Sequence, residues 1–120
     1  MKFNEERREH TRYKLGDSAI AVFGNSPGHI SDISLGGLSF IYLDSDKPSP
    51  QSDSVDILDG QQSFFLEKIP CRTVVERLLI NESPYNLIKM VRRSLEFNGI
   101  SDLQKSQIKS YINSHDLCPA

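Results

Sequence analysis

Apolar and polar positions alternate with a period of two over most of the chain and switch to a helical period only near its end. Ser18 to Phe23 is apolar and rich in residues that suit a sheet. Gly24-Asn25-Ser26-Pro27-Gly28 behind it is a concentrated turn signal, so a hairpin is expected there. His29 to Ser34 carries Ile30 and Ile33 among polar residues, Gly36-Gly37 interrupts, and Leu38 to Leu43 resumes as strand. Asp44 to Ser54, with Pro48, Pro50 and several Ser and Asp, reads as a surface loop. Val55 to Leu58, Phe64 to Glu67, Cys71 to Ile80 and Tyr85 to Phe97 read as further strands, divided by Asp59-Gly60, by Pro70 and by Asn81-Glu82-Ser83-Pro84. The last two form a long hairpin.

Within Tyr85 to Phe97, the side chains of Leu87, Lys89, Val91, Arg93, Leu95 and Phe97 share one face, and Ile88, Met90 and Arg92 lie largely on the other. Arg92 and Arg93 therefore point to opposite sides. One is expected to be a solvated surface charge, and the other is a candidate neighbour of a ligand site. From Ser101 the period changes: Ser101 at the N-cap and Gln104 three residues later form a capping box, and Leu103, Gln107, Ile108, Tyr111 and Ile112 fall along one helical stripe. Six or seven short strands followed by one helix predict a mainly β protein, a small antiparallel barrel with a C-terminal α-helix packed against it.

At 120 residues the chain has room for one core, and a single domain over residues 1–120 is expected: an arm over 1–14, the barrel over 17–97 and the helix over 101–115. The arm holds three Arg, two Lys, three Glu and one His between residues 2 and 14, so it cannot bury much of itself. A net charge of -2 and a pI near 5.9 argue against long nucleic acid, which is normally met by a basic domain, yet leave room for a short anionic ligand. No apolar run approaches the roughly 20 residues of a membrane span, and carboxylates stand where a secretory signal would place its apolar segment, so a cytoplasmic protein is expected. Cys71 and Cys118 are too far apart in kind and place to suggest a disulfide or zinc knuckle. His10, His29 and His115 have no companion at ligand spacing, and no metal or cofactor is assigned.

Two clusters carry candidate chemistry. The first is Arg7-Arg8-Glu9-His10-Thr11-Arg12; the second is Asp32-Ile33-Ser34-Leu35-Gly36-Gly37. Arginine presents a planar fork of donors that suits phosphate and the O6/N7 edge of guanine, and its flat face stacks on aromatic rings. Asp32 offers two acceptor oxygens, the complement of guanine N1–H and its exocyclic amine, and Ser34 can donate or accept beside it. Gly36 and Gly37 allow a ligand to approach the main chain without a Cβ in the way. Each cluster also has a plainer reading: a solvated, salt-bridged arm for the first, and a strand end followed by a tight turn for the second. Together, with Arg12 twenty residues before Asp32, they fit a purine nucleotide.

In this order and spacing the sequence resembles the PilZ domain, the bacterial receptor module for cyclic di-GMP, whose hallmarks R-x-x-x-R and [D/N]-x-S-x-x-G stand here as Arg8 to Arg12 and Asp32 to Gly37. The resemblance runs from about Arg7 to His115, with residues 44 to 84 matching only in strand rhythm. It implies a six- or seven-stranded barrel with the ligand on its outer surface. Arg8 and Arg12 would grip guanine edges and phosphates, Asp32 and Ser34 would hydrogen-bond a guanine, and Gly36 and Gly37 would allow close approach. Arg7 is a further candidate, because a long cation there accompanies a stacked pair of ligands in this family. The implied function is a non-enzymatic receptor or adaptor that hands its signal to an unidentified downstream protein. A degenerate scaffold that has lost nucleotide binding is the alternative. A single-stranded nucleic-acid barrel and an enzyme are disfavoured, by net acidity and the lack of Trp in one case and by the lack of a nucleophile with a nearby base in the other.

Overall fold

In a computed structural model, which describes residues 11–44, 51–79 and 89–114, the two-residue periods become a sheet closed on itself. The described residues form β1 (Tyr13–Lys14), β2 (Ala19–Phe23), β3 (Ser26–Ile33), β4 (Gly37–Asp44), β5 (Ser54–Asp59), β6 (Phe64–Leu79), β7 (Lys89–Phe97) and α1 (Asp102–Ser114). The strands run β3-β2-β5-β6-β7-β4, and β4 also pairs with β3, which closes a six-stranded antiparallel barrel. β1 lies outside the ring, on the edge of β3, with Tyr13 opposite Ile33 and Lys14 opposite Asp32. The end of the expected arm is therefore a strand of the sheet. No helix among the described residues is long and apolar enough to cross a membrane.

The inward positions are the apolar ones of the sequence pattern. Ala19, Ala21 and Phe23 of β2, Phe40 and Tyr42 of β4, Val55 and Ile57 of β5, and Val91 and Leu95 of β7 are buried around one core. Phe40 meets Phe23 at 6.1 Å between ring centroids and Tyr42 at 5.5 Å, tilted in both cases, as ring quadrupoles favour. Fully burying one such side chain contributes about 1.5–3 kcal/mol.

Three departures from the expected pattern have local physical causes. The first turn is shorter than five residues: Gly24 and Asn25 both take positive φ, at 56° and 67°, the signature of a two-residue I′ hairpin turn. Ser26, Pro27 and Gly28 then belong to β3. Gly28 stays a glycine because a Cβ there would lie 2.5 Å from the Phe40 ring and 2.7 Å from the Ile41 carbonyl oxygen. Next, Ile30 and Ile33 are three apart and cannot share a face of a regular strand. A bulge between Ile30 and Asp32 restores the phase, so both isoleucines are fully buried and Asp32 faces away from the core. Finally, Phe64 to Glu67 and Cys71 onward are one continuous strand. A second bulge there places Lys68 at φ 54°, its amide donating to Asp56 Oδ1 at 2.8 Å, so Leu66 and Ile69 both point inward and Pro70 sits within β6. Ile80 and Tyr85 to Ile88, also expected as strand, lie outside the described residues.

Helix α1 begins at the expected capping box: Ser101 Oγ accepts from the Gln104 amide and Gln104 Oε1 accepts from the Ser101 amide, both at 3.1 Å. Its buried stripe is narrower than the sequence pattern suggests. Ile108, Tyr111 and Ile112 are buried, whereas Leu103 is 69% exposed and Gln107 also faces solvent. The first turn of α1 touches the barrel at its side through Gln104, which donates to the Lys68 carbonyl at 3.2 Å, and the last turns carry the apolar contact, with Tyr111 stacked on Phe64 at 4.3 Å.

Tyr111 is also tied to Asp59, the last residue of β5 and 3% exposed. Its hydroxyl donates to Asp59 Oδ2 at 2.6 Å, while Ser18 and the Gln61 amide donate to Oδ1 at 2.6 and 3.2 Å. Followed by Gly60, Asp59 has the sequence of an ordinary turn residue; the structure makes it a buried carboxylate with both oxygens occupied.

Candidate ligand-binding site

Asp32 sits at the crossing of three strands. Its backbone pairs with Lys14 of β1 on one side and Ser39 of β4 on the other. The chain of Arg12 runs into β1 one residue before Tyr13, which pairs with Ile33, so Arg12 arrives beside the start of the β3–β4 turn. Arg12 is half-buried. Arg12, the last residue of the first cluster, and the second cluster, which begins twenty residues further along the chain, thus lie at one edge of the barrel. Arg7 and Arg8 lie outside the described residues.

The turn itself is built from the second cluster. The Ser34 amide donates to the Gly37 carbonyl at 2.8 Å, and the Ser34 hydroxyl accepts from the Gly36 amide at 3.1 Å and donates to the Gly37 carbonyl at 3.4 Å. Ser34 is 6% exposed. Its side chain closes the turn and thereby sets the direction in which β3 hands over to β4. Gly36 is half-buried, and its carbonyl accepts from the Phe97 amide of β7 at 2.9 Å. Gly37 pairs with Glu96, and a Cβ on it would stand 2.1 Å from the Leu95 carbonyl oxygen. The missing side chain at Gly37 makes room for β7, a close approach within the barrel itself.

The Asp32 carboxylate, its side chain only 7% exposed, accepts from Arg92 Nη2 at 2.7 Å. Arg92 reaches it from β7, across β4: Asp32 pairs with Ser39, Ser39 pairs with Ser94, and Arg92 lies one outward-facing position along β7 from Ser94. Ser39 and Ser94 share a hydrogen bond at 2.9 Å. Two small residues between the partners leave the sheet surface low enough for the long arginine side chain to lie across it.

Arg93 is the finding furthest from expectation. Neither of the two neighbouring arginines is a free surface charge. Arg93 is 2% exposed, inside the barrel, with its guanidinium 5.0 Å from the centroid of Phe23 and 5.5 Å from that of Tyr42, and it is ion-paired with Glu76 of β6. The aromatic faces and the carboxylate together stabilise a charge that burial alone would penalise. The alternation along β7 did place Arg93 with Val91 and Leu95, and that placement is what the structure has.

Burial also settles the character of Cys71, whose thiol is pushed up to about 11 by desolvation, with the nearby Asp53 charge adding to the effect. A thiol held there is a packing group. Cys118 lies outside the described residues.

No family model matches the chain, and no curated protein matches it. Solved structures do. The PilZ domain of YcgR from Escherichia coli with c-di-GMP superposes with a TM-score of 0.67 at 19% identity, over 90% of each chain. YcgR from Escherichia coli in complex with c-di-GMP gives 0.66 at 16% identity, over 90% of this chain and 45% of that one. MrkH, a c-di-GMP-dependent transcription regulatory factor, gives 0.56 at 13% identity over 90% and 46%. The described residues, a six-stranded barrel with one strand outside it and a C-terminal helix, have a PilZ-like fold.

Proposed function

We propose that this protein is a receptor for cyclic di-GMP, which binds on the outer surface of the barrel where β1, β3 and β4 meet and whose binding is passed on to a protein partner. The observation that carries this reading is the place at which Arg12 reaches the barrel: β1 pairs with β3 so that Arg12 enters beside the Asp32–Gly37 turn. Asp32 supplies acceptors for the donor edge of a guanine. Arg12, with Arg8 and Arg7 ahead of it in the chain, supplies planar cations for the phosphates and for stacking. Ser34 and Gly37 serve the site by shaping the turn that presents Asp32, given the bonds they make there. The neighbours of known ligand carry the same fold, which supports the choice of cyclic di-GMP over other purine nucleotides. The chemistry proposed is binding, with the ligand recovered intact, and Arg7 favours two stacked ligand molecules per chain.

Calorimetric titration of the purified protein with cyclic di-GMP, beside Arg8→Ala, Arg12→Ala and Asp32→Ala, tests this. Each variant is expected to bind roughly ten- to a hundredfold more weakly, the equivalent of a charge-assisted hydrogen bond of about 1.5–3 kcal/mol. Absence of binding by the unaltered protein would discard the receptor reading in favour of a scaffold without nucleotide, and saturation at one ligand per chain would discard the stacked pair.

A further inference from the structure

The ion pair at Asp32 joins residues sixty positions apart and brings into the site a side chain that belongs to neither sequence cluster. Resting on the receptor reading above, we propose that Arg92 is a positioning residue for guanine recognition: it holds the Asp32 carboxylate by one oxygen so that the group meets the guanine edge in a fixed plane. An ionised carboxylate has about four lone-pair directions, and Arg92 Nη2 occupies one of them, on Oδ2. Among the described residues no other donor sits on Asp32, so both oxygens keep acceptor capacity for the two parallel donors of guanine.

Those two donors need both oxygens in one orientation. The terminal torsion of an aspartate is broad and roughly two-fold, so an untethered carboxylate would spend much of its time turned away from that orientation. A single contact from Arg92 removes the freedom without consuming the guanine-facing edge. The tether is itself anchored: the outward positions between the partners, Ser39 and Ser94, are small and bonded to each other. Arg92 keeps 42% of its side chain exposed, so the guanidinium borders solvent where a doubly anionic ligand would lie, and its charge favours the ligand's presence instead of opposing it.

The test compares two ligands that differ at the Asp32 contact, cyclic di-GMP and cyclic di-IMP, whose hypoxanthine bases lack the exocyclic amine. Both are titrated into the unaltered protein, Arg92→Gln, Arg92→Lys and Asp32→Ala, with thermal denaturation of each variant alongside. Arg92→Gln is expected to weaken cyclic di-GMP about tenfold and cyclic di-IMP much less, so that its preference between the two falls toward that of Asp32→Ala. Because the contact uses one nitrogen, an ammonium can replace it, and Arg92→Lys is expected to restore most of the preference. Equal weakening of both ligands by Arg92→Gln, an unchanged preference, or tighter binding of cyclic di-GMP would each overturn the proposal. If Arg92→Gln does not fold, the ratio is read on Arg92→Ala, since a preference between two ligands on one folded protein is independent of how much of it is folded. Failure of the unaltered protein to bind either ligand would instead remove the receptor reading beneath it.

Discussion

Asp32 and Asp59 are both aspartates at or near the end of a strand, both nearly inaccessible to water, and they are held in opposite ways. Asp59 accepts from the hydroxyls of Ser18 and Tyr111 and from backbone amides of the turn that follows it, with donors on both oxygens, and these partners come from three separate parts of the chain. Asp32 is held on one oxygen by a charged partner that is itself 42% exposed. The difference teaches where a buried carboxylate is structural and where it is available. Short neutral donors on both oxygens enclose the Asp59 charge, whereas one long, half-exposed cation orients Asp32 through a single oxygen and leaves the other without a donor among the described residues.

The titration of Asp59 follows from that enclosure. Burial by itself would raise its pKa, but hydrogen bonds from Ser18, Tyr111 and the amides of Gln62 and Gln61 outweigh the burial and hold it below the ordinary 3.8. Tyr111 is pushed far upward, chiefly by burial and then by its bond to the Asp59 charge.

The largest effect that would break the contrast is on stability. Asp59→Ala strips the acceptor from two hydroxyls and the turn amides at once and is expected to cost about 3 kcal/mol, while Asp32→Ala, whose partner can turn to water, is expected to cost about 1 kcal/mol or less. Urea denaturation of the two variants beside the unaltered protein measures both, and equal costs would mean the two sites are not different in kind.

A smaller effect sharpens the account of Asp59. Tyr111→Phe removes one donor from Oδ2 and is expected to cost about 1–2 kcal/mol at neutral pH. Because the folded pKa of Asp59 lies below its unfolded value, its contribution to stability is complete above the unfolded value of about 3.8 and is lost as pH falls through the folded one. Losing the Tyr111 bond brings those values together. Acid unfolding followed by circular dichroism should therefore begin at higher pH in Tyr111→Phe, and an unmoved acid limb would show that this hydrogen bond does not hold the carboxylate down.

The smallest effect concerns the buried thiol of the core. With its thiol near 11, Cys71 is expected to react with a disulfide reagent at pH 8 only as fast as the barrel opens. Labelling that outpaces global unfolding would show that β6 opens locally beside the strand carrying Arg92.

The positions of most strands, the capping box at Ser101 and a turn at Gly24-Asn25 are legible in the chain, because each rests on local rules: a period of two, a side chain three residues from an amide, glycine and asparagine at a tight turn. The bulges were half visible. Ile30 and Ile33, or Leu66 and Ile69, stand at a spacing of three that no regular strand can bury, and only the closure of the barrel decides that both members of each pair must go inside. What tertiary structure alone decided is the partner of each charge. Arg92 and Arg93 are adjacent and chemically identical, yet one lies across the surface to Asp32 and the other enters the core between Phe23, Tyr42 and Glu76. Alternation told that they part company. Which carboxylate waits for each depends on strands far away in sequence, because the energy of a charge is set by what the fold packs around it and not by its neighbours along the chain.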